Sequence, residues 1–258
     1  MATYVELPHV KTWYDERGDG EPLVLLHGGV VDARFFEPNI EALAARFRVF
    51  ALDLRGHGHT PDVEGPFTYE ALAQDTIDFI DAVVGGPAHI VGHSVGAGVA
   101  LHAALRRPDL LRRLVLVSGV FHHDGLISTN EVDVDQVVAA FGPSYGAVSP
   151  DGEDHYPVVV RKVFEMDQRE PALTVSDLDG VGARTLVMAS DDDIIALEHT
   201  LALYRGIKDS EFAVVPGTSH FLTQEKPDLC NRIVVDFLAS DPVATAAPMR
   251  RMSSRPAA

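Results

Sequence analysis

Cysteine is almost missing: Cys230 stands alone among 258 residues, so no intramolecular disulfide can form. The surrounding Pro-Asp-Leu-Cys-Asn-Arg-Ile-Val-Val has the spacing of an amphipathic helix and makes this an expected buried thiol. Basic charge is scarce too. Against 38 Asp and Glu stand only 21 Lys and Arg, a formal net charge of −17, and a field of that sign repels nucleic acid and anionic lipid. Neither is expected as a partner. The carboxylates are scattered, as on a solvated, self-repelling surface, and form no acidic block. No run approaches the roughly 18 uninterrupted apolar residues of a membrane span. After Met1, Ala2-Thr3-Tyr4-Val5-Glu6 carries no basic region leading into an apolar one. A cytoplasmic protein without membrane contact is the expectation. Internal repeats are also lacking.

What remains is an ordinary globular composition, 46% apolar and 23% charged. The length alone admits one large domain or two small ones, so organisation must decide. Runs rich in Val, Leu and Ile fall at 22–27, 48–53, 89–92, 114–118, 185–190 and 211–216, and between them 40–46, 69–84, 95–107, 197–206 and 228–239 have helical spacing. Continuous apolar strands alternating with helices predict an α/β fold, a mostly parallel sheet covered on both faces. Residues 120–180 break the alternation, with several prolines and helical patterns near 132–141 and 156–166. They are expected to form a short helical lid inserted into a core of 1–119 and 181–240. The Pro, Ala and Ser-rich tail at 241–258, with Arg250, Arg251 and Arg255, is expected to lack order.

The segment Gly92-His93-Ser94-Val95-Gly96 runs from an apolar strand straight into a helix rich in small residues. In such a G-x-S-x-G turn the glycines let the strand and helix backbones approach, and the serine is pushed into strained exposure. A hydroxyl is a weak nucleophile and needs a neutral imidazole to take its proton, so activity is expected to fall in acid. His220, in the loop Pro216-Gly217-Thr218-Ser219-His220 after the last strand, is the candidate base. One of Asp191, Asp192 and Asp193, at the end of the strand 185–190, is expected to orient that histidine. An oxyanion needs two backbone donors. Val95, following the serine, supplies one, and the glycine-rich bend Leu26-His27-Gly28-Gly29-Val30 the other, through Gly29 or alternatively Val30. Val30, Phe35, Phe36 and Phe221 near these loops, and Phe121, Tyr145, Tyr156 and Phe164 in the lid, are candidate walls of a pocket for a small-molecule substrate. The histidines of Arg55-Gly56-His57-Gly58-His59 and His122-His123 lack the ligand count and company of a zinc site, so no metal is expected.

Taken in order, His27-Gly28-Gly29, Asp53-Leu54-Arg55-Gly56-His57-Gly58, Gly92-His93-Ser94-Val95-Gly96, Ser190-Asp191-Asp192-Asp193 and Pro216-Gly217-Thr218-Ser219-His220 resemble the α/β-hydrolase family over 21–239. The resemblance implies that the second aspartate of a Gly-Asp-x-Asp pattern is the acid, which places it at Asp193, with Ser190 where the family has glycine. It further implies a Ser94, His220, Asp193 triad that needs no cofactor and hydrolyses a small or medium carboxylic ester or lactone. Relatives that open haloalkanes or epoxides use an aspartate nucleophile, and Ser94 argues against both. The alternatives are hydrolysis of a carbon–carbon bond in a ring-fission diketo acid, and a non-catalytic ligand-binding homologue.

Overall fold

The computed structural model describes residues 2–127, 133–243 and 245–247. Its strands are β1 (Ala2–Glu6), β2 (Lys11–Arg17), β3 (Glu21–Leu26), β4 (Phe47–Leu52), β5 (Ala88–His93), β6 (Leu111–Val117), β7 (Arg184–Ser190) and β8 (Ser210–Val215). They form one sheet in the order β1-β2-β4-β3-β5-β6-β7-β8, parallel from β4 to β8 and antiparallel where β1 and β2 join the edge. The parallel strands match the apolar runs because a strand covered on both faces needs apolar residues at every position. Leu23, Val24, Leu25 and Leu26 are all fully buried. No apolar run foretells β1 and β2, whose residues alternate or stay exposed, and pairing of Tyr14 with Leu52 aligns β2 on the sheet.

The described residues form the α-helices α1 (Glu37–Ala44), α2 (Tyr69–Phe79), α3 (Val95–Arg106), α4 (Val134–Gly146), α5 (Tyr156–Asp167) and α6 (Leu197–Gly206) between strands, and α7 (Leu222–Glu225) and α8 (Pro227–Ala239) after β8. α1 begins ahead of the expected 40–46 because Pro38 fits a first helical turn. α2 is capped by the Thr68 hydroxyl, which accepts the N–H of Ala71, and it passes at Ile80 into one wider π turn that ends on left-handed Gly85. Alternation along the strands divides the core in two. Val24, Leu26, Ile90 and Leu116 pack with residues of α2, α3, α5 and α6, whereas Leu23, Leu25, Val91 and Val117 pack with α1, α7 and α8. Cys230 of α8 is buried in the second layer, which pushes its thiol up to about 11.

Between β6 and β7 the chain builds α4 and α5, joined by the Tyr145 and Tyr156 rings at 4.7 Å between centroids. Val132, where the helical pattern was expected to begin, lies outside the described residues. So do residues 248–258, which carry the three tail arginines. Among the described residues, no helix is long and apolar enough to cross a membrane.

Candidate active site

β5 passes into α3 through a single residue. Ser94 has φ 54° and ψ −119°, a backbone region that costs any residue with a side chain. It is held there by its N–H to Val117 O at 2.9 Å and by its carbonyl, which accepts the N–H of Ala97 at 2.9 Å. The spacing of glycines around it is sterically forced. A Cβ on Gly92 would lie 2.2 Å from Gly96 O, and one on Gly96 would lie 2.2 Å from Leu26 O.

The register of β6 on β7 and β7 on β8 brings the loops after these strands to the same sheet edge as Ser94. There Asp193 Oδ1 meets His220 Nδ1 at 2.7 Å. The other carboxylate oxygen accepts the hydroxyls of Ser118 at 2.5 Å and Ser190 at 2.9 Å. Burial works against the charge, but His220 and the two hydroxyls outweigh it and hold the Asp193 carboxyl down at about 2. Asp191 instead accepts the N–H of Thr218 at 3.1 Å, which braces the His220 loop, and Asp192 is exposed. The two serines are partners that sequence reasoning did not assign. Ser190 was visible as a departure from glycine, and Ser118 only as the last residue of a run without an acid.

His93 is a further residue whose part appears only in three dimensions. Its Nε2–H donates to the carbonyl of His220 at 2.8 Å, and its ring stacks on Phe35 at 4.4 Å. Burial, reinforced by His220, pushes its pKa down to about 3, so the neutral ring ties the His220 loop to the elbow. No hydrogen bond joins Ser94 Oγ to His220 among the described residues. Such contacts are often long in ligand-free sites and shorten around a substrate.

The loop after β3 lies against the elbow, where a Cβ on Gly28 would approach Ser94 Cβ at 3.3 Å. Neither Gly29 nor Val95 has an acceptor for its N–H among the described residues. The side chains of Val163 of α5 and of Val95 both close on Gly29: a Cβ there would be 2.7 Å from Val163 Cγ1 and 2.9 Å from Val95 Cγ2. Beside this contact is a cavity of about 210 Å³ walled in part by Val30, Phe35, Tyr145, Tyr156 and Phe221. Ser94 and His220 are outside its walls, which include Phe221, next to His220, and Val30, next to Gly29. Phe36 packs in the core behind Phe35, Phe121 stacks on His199 at 4.1 Å, and Phe164 packs against the first core layer; none of the three lines the cavity. Arg34, also on the cavity, is clamped by Asp32 at 2.6 Å and donates to Ser144 O at 2.7 Å, which fastens α4 to the core. Lys162 and His155 fasten α5 in the same way, through Asp62.

The other histidines are dispersed. His57 faces the carbonyls of Gly29 and Arg55, while His59 binds the buried carboxylate of Asp53. His122, His123 and Asp124 do come together on the surface, their ligand atoms within 4.8 Å of one another.

Residues 23–233 match the model of the Alpha/beta hydrolase family. The chain belongs to that family. It is 27% identical to the sequence assigned as carbamate hydrolase RutD of Azorhizobium caulinodans, over 87% of this chain and 94% of that one. It is 26% identical to carboxylesterase YbfK of Bacillus subtilis, over 92% and 87% respectively. Among solved structures, a meta-cleavage product hydrolase (CumD) of Pseudomonas fluorescens superposes with a TM-score of 0.74 at 25% identity, covering 93% of this chain and 98% of that one. The mostly parallel sheet with helices on both faces is as the strand and helix pattern predicted, and it is the α/β-hydrolase fold that the resemblance implied.

Proposed function

We propose that the protein is a serine hydrolase that cleaves a small or medium carboxylic ester or lactone through an acyl-enzyme. The observation that carries this is the part-buried Asp193–His220 hydrogen bond, beside a serine held at positive φ on a strand-to-helix turn. Ser94 Oγ attacks the carbonyl carbon while its proton passes to His220 Nε2, and Asp193 holds the Nδ1–H and balances the imidazolium. The N–H groups of Gly29 and Val95 hold the oxyanion. Collapse expels the alcohol, which takes the proton from His220. Water then repeats the sequence on the acyl-enzyme and releases the acid.

The substrate class rests on the cavity. About 210 Å³ is below the usual range of roughly 300–1,000 Å³ for ligand sites and suits a short acyl or aryl group. Its one cation, Arg34, is neutralised by a forked contact with Asp32, so the wall offers no net charge to an acidic substrate. The likeness to CumD favours a competing reading, hydrolysis of a carbon–carbon bond in a ring-fission diketo acid, which the same serine machinery can perform. The relatives named for carbamates fit the same acyl chemistry with a nitrogen leaving group.

The test is a serine-directed phosphonate with wild type and Ser94→Ala, followed by kcat/KM for acetyl, butyryl and palmitoyl esters beside a vinylogous diketo acid. Label on Ser94 and a preference for the short esters are expected. Undiminished turnover in Ser94→Ala refutes the nucleophile, and a preference for the palmitoyl ester or the diketo acid refutes the substrate class. Binding without turnover or labelling by the wild type would leave a non-catalytic homologue.

A further inference from the structure

Gly29 is proposed above as an oxyanion donor, yet glycine is the residue least able to hold its own conformation. The carbonyls of the two peptides that flank it each meet a buried imidazole. His27 Nδ1 lies 2.7 Å from Gly28 O, and His57 Nε2 lies 2.6 Å from Gly29 O. A peptide is planar, so the carbonyl of Gly28 and the N–H of Gly29 form one rigid unit and point in opposite directions. Fixing the first aims the second. Hydrogen bonding at the carbonyl also polarises the amide and makes its N–H a better donor.

The direction of the first bond is not ambiguous. His27 Nε2 accepts the N–H of Leu54 at 3.0 Å, so the ring's proton is on Nδ1 and is donated to Gly28 O. Burial, and then the neighbouring His57, push the His27 pKa down to about 4, which keeps the ring neutral. His57 in turn reaches from the loop after β4 with both ring nitrogens facing carbonyls, Nδ1 at 2.9 Å from Arg55 O and Nε2 at 2.6 Å from Gly29 O; a neutral ring carries one N–H, and the shorter contact assigns it to Nε2 and Gly29 O. Neither ring hydrogen-bonds to Ser94 or His220.

Resting on the serine-hydrolase reading, we infer that His27 and His57 are positioning residues that clamp the peptides on both sides of Gly29 and aim its N–H at the oxyanion. Two substitutions at His27 separate this role from mere core packing. The amide nitrogen of His27→Asn falls near the Nδ1 position and keeps the donor to Gly28, but leaves Leu54 without an acceptor. His27→Gln does the reverse, its amide oxygen reaching Leu54 while the Gly28 carbonyl loses its partner. His27→Gln should therefore lose roughly 10–100-fold in kcat with KM within about twofold, part of the effect of deleting a whole donor. His27→Asn should stay within about fivefold in kcat although it is the less stable of the two. At His57, Gln should retain activity that Leu loses. Catalytic loss that follows the order of stability, or a KM that rises in step with the fall in kcat, overturns the inference. Amide hydrogen exchange at Gly29 reads the same geometry without turnover: about tenfold faster exchange is expected in His27→Gln and none in His27→Asn, and equal protection in both overturns the inference. If the wild type turned over no ester, the hydrolase reading would fail while the exchange measurement still decided the clamp.

Discussion

Replacing Asp193 by asparagine changes one atom and should disable the base through its tautomer. Ser118 and Ser190 both donate to Oδ2 of the carboxylate, so that position will keep the amide oxygen, which can go on accepting from both hydroxyls. The NH₂ group then falls at the Oδ1 position, facing His220 Nδ1 at 2.7 Å. Two donors cannot share that contact. The imidazole must move its proton to Nε2, where it points toward Ser94 and leaves no lone pair to accept the serine's proton. A triad histidine in the wrong tautomer costs about 10³–10⁴-fold in kcat, or roughly 4–5.5 kcal/mol of barrier. The surrounding fold should hold, since the shape is unchanged and the serines keep their acceptor. Asp191→Asn should cost less than about fivefold, because its amide oxygen can still take the Thr218 N–H, and exposed Asp192→Asn should be near neutral. The assay is kcat for a butyryl ester in all three variants, with circular dichroism to confirm folding. A folded Asp193→Asn within tenfold of wild type, or an equal loss in Asp192→Asn, would refute the reasoning.

Stability should also carry a pH signature from Asp167 at the end of α5. Its main partner is the Tyr69 hydroxyl at 3.3 Å, and burial pushes the carboxyl up to about 7. In the unfolded chain it ionises near pH 3.9, so its contribution is complete below about pH 4 and is lost as pH rises to about 7, a change of roughly 2–4 kcal/mol. Asp167→Asn should remove that slope between pH 4.5 and 8 in urea unfolding, and parallel curves for the two proteins would count against it. Val163→Ala should relax the contact of α5 with Gly29 and raise the hexanoyl-to-acetyl ratio of kcat/KM by roughly tenfold, since each methylene accommodated is worth about 1 kcal/mol or more. An unchanged ratio would show that Val163 does not limit the acyl group.

Much of the fold was legible in the chain because its signals are local. Apolar runs such as 22–27 announce strands buried on both faces. The glycines at 92 and 96 announce a turn in which any Cβ meets backbone, and steric exclusion of that kind needs no knowledge of distant residues. The order of serine, aspartates and histidine along the chain is also a sequence property. β1 and β2 were illegible because a solvated edge strand needs no apolar run, and its identity comes from pairing with Trp13 and Tyr14 against the loop and strand around Leu52.

Choosing among three consecutive acids is another matter. Their sequence environments barely differ, and it is the register of β6, β7 and β8 that brings Ser118, Ser190 and His220 around Asp193 while Asp191 turns to Thr218. The same holds for His93, a variable position of the serine motif, and for His27 and His57, whose motifs do not reveal what their rings touch. Each acquires its part from a backbone group of another loop: the His220 carbonyl for His93, the Leu54 N–H for His27 and the Gly29 carbonyl for His57. Aromatic residues at the lid and loops mark a pocket only as a class: Phe35, Tyr145, Tyr156 and Phe221 reach the cavity, while Phe36, Phe121 and Phe164 spend their surface on packing. Sequence thus determined the parallel strands of the sheet, the helices that cover them and the elbow, through periodicity and excluded volume. Tertiary structure decided what surrounds the carboxylate to which the resemblance pointed, which imidazoles meet the carbonyls of the glycine loop and how large a cavity is left, because those depend on where separate segments end relative to one another.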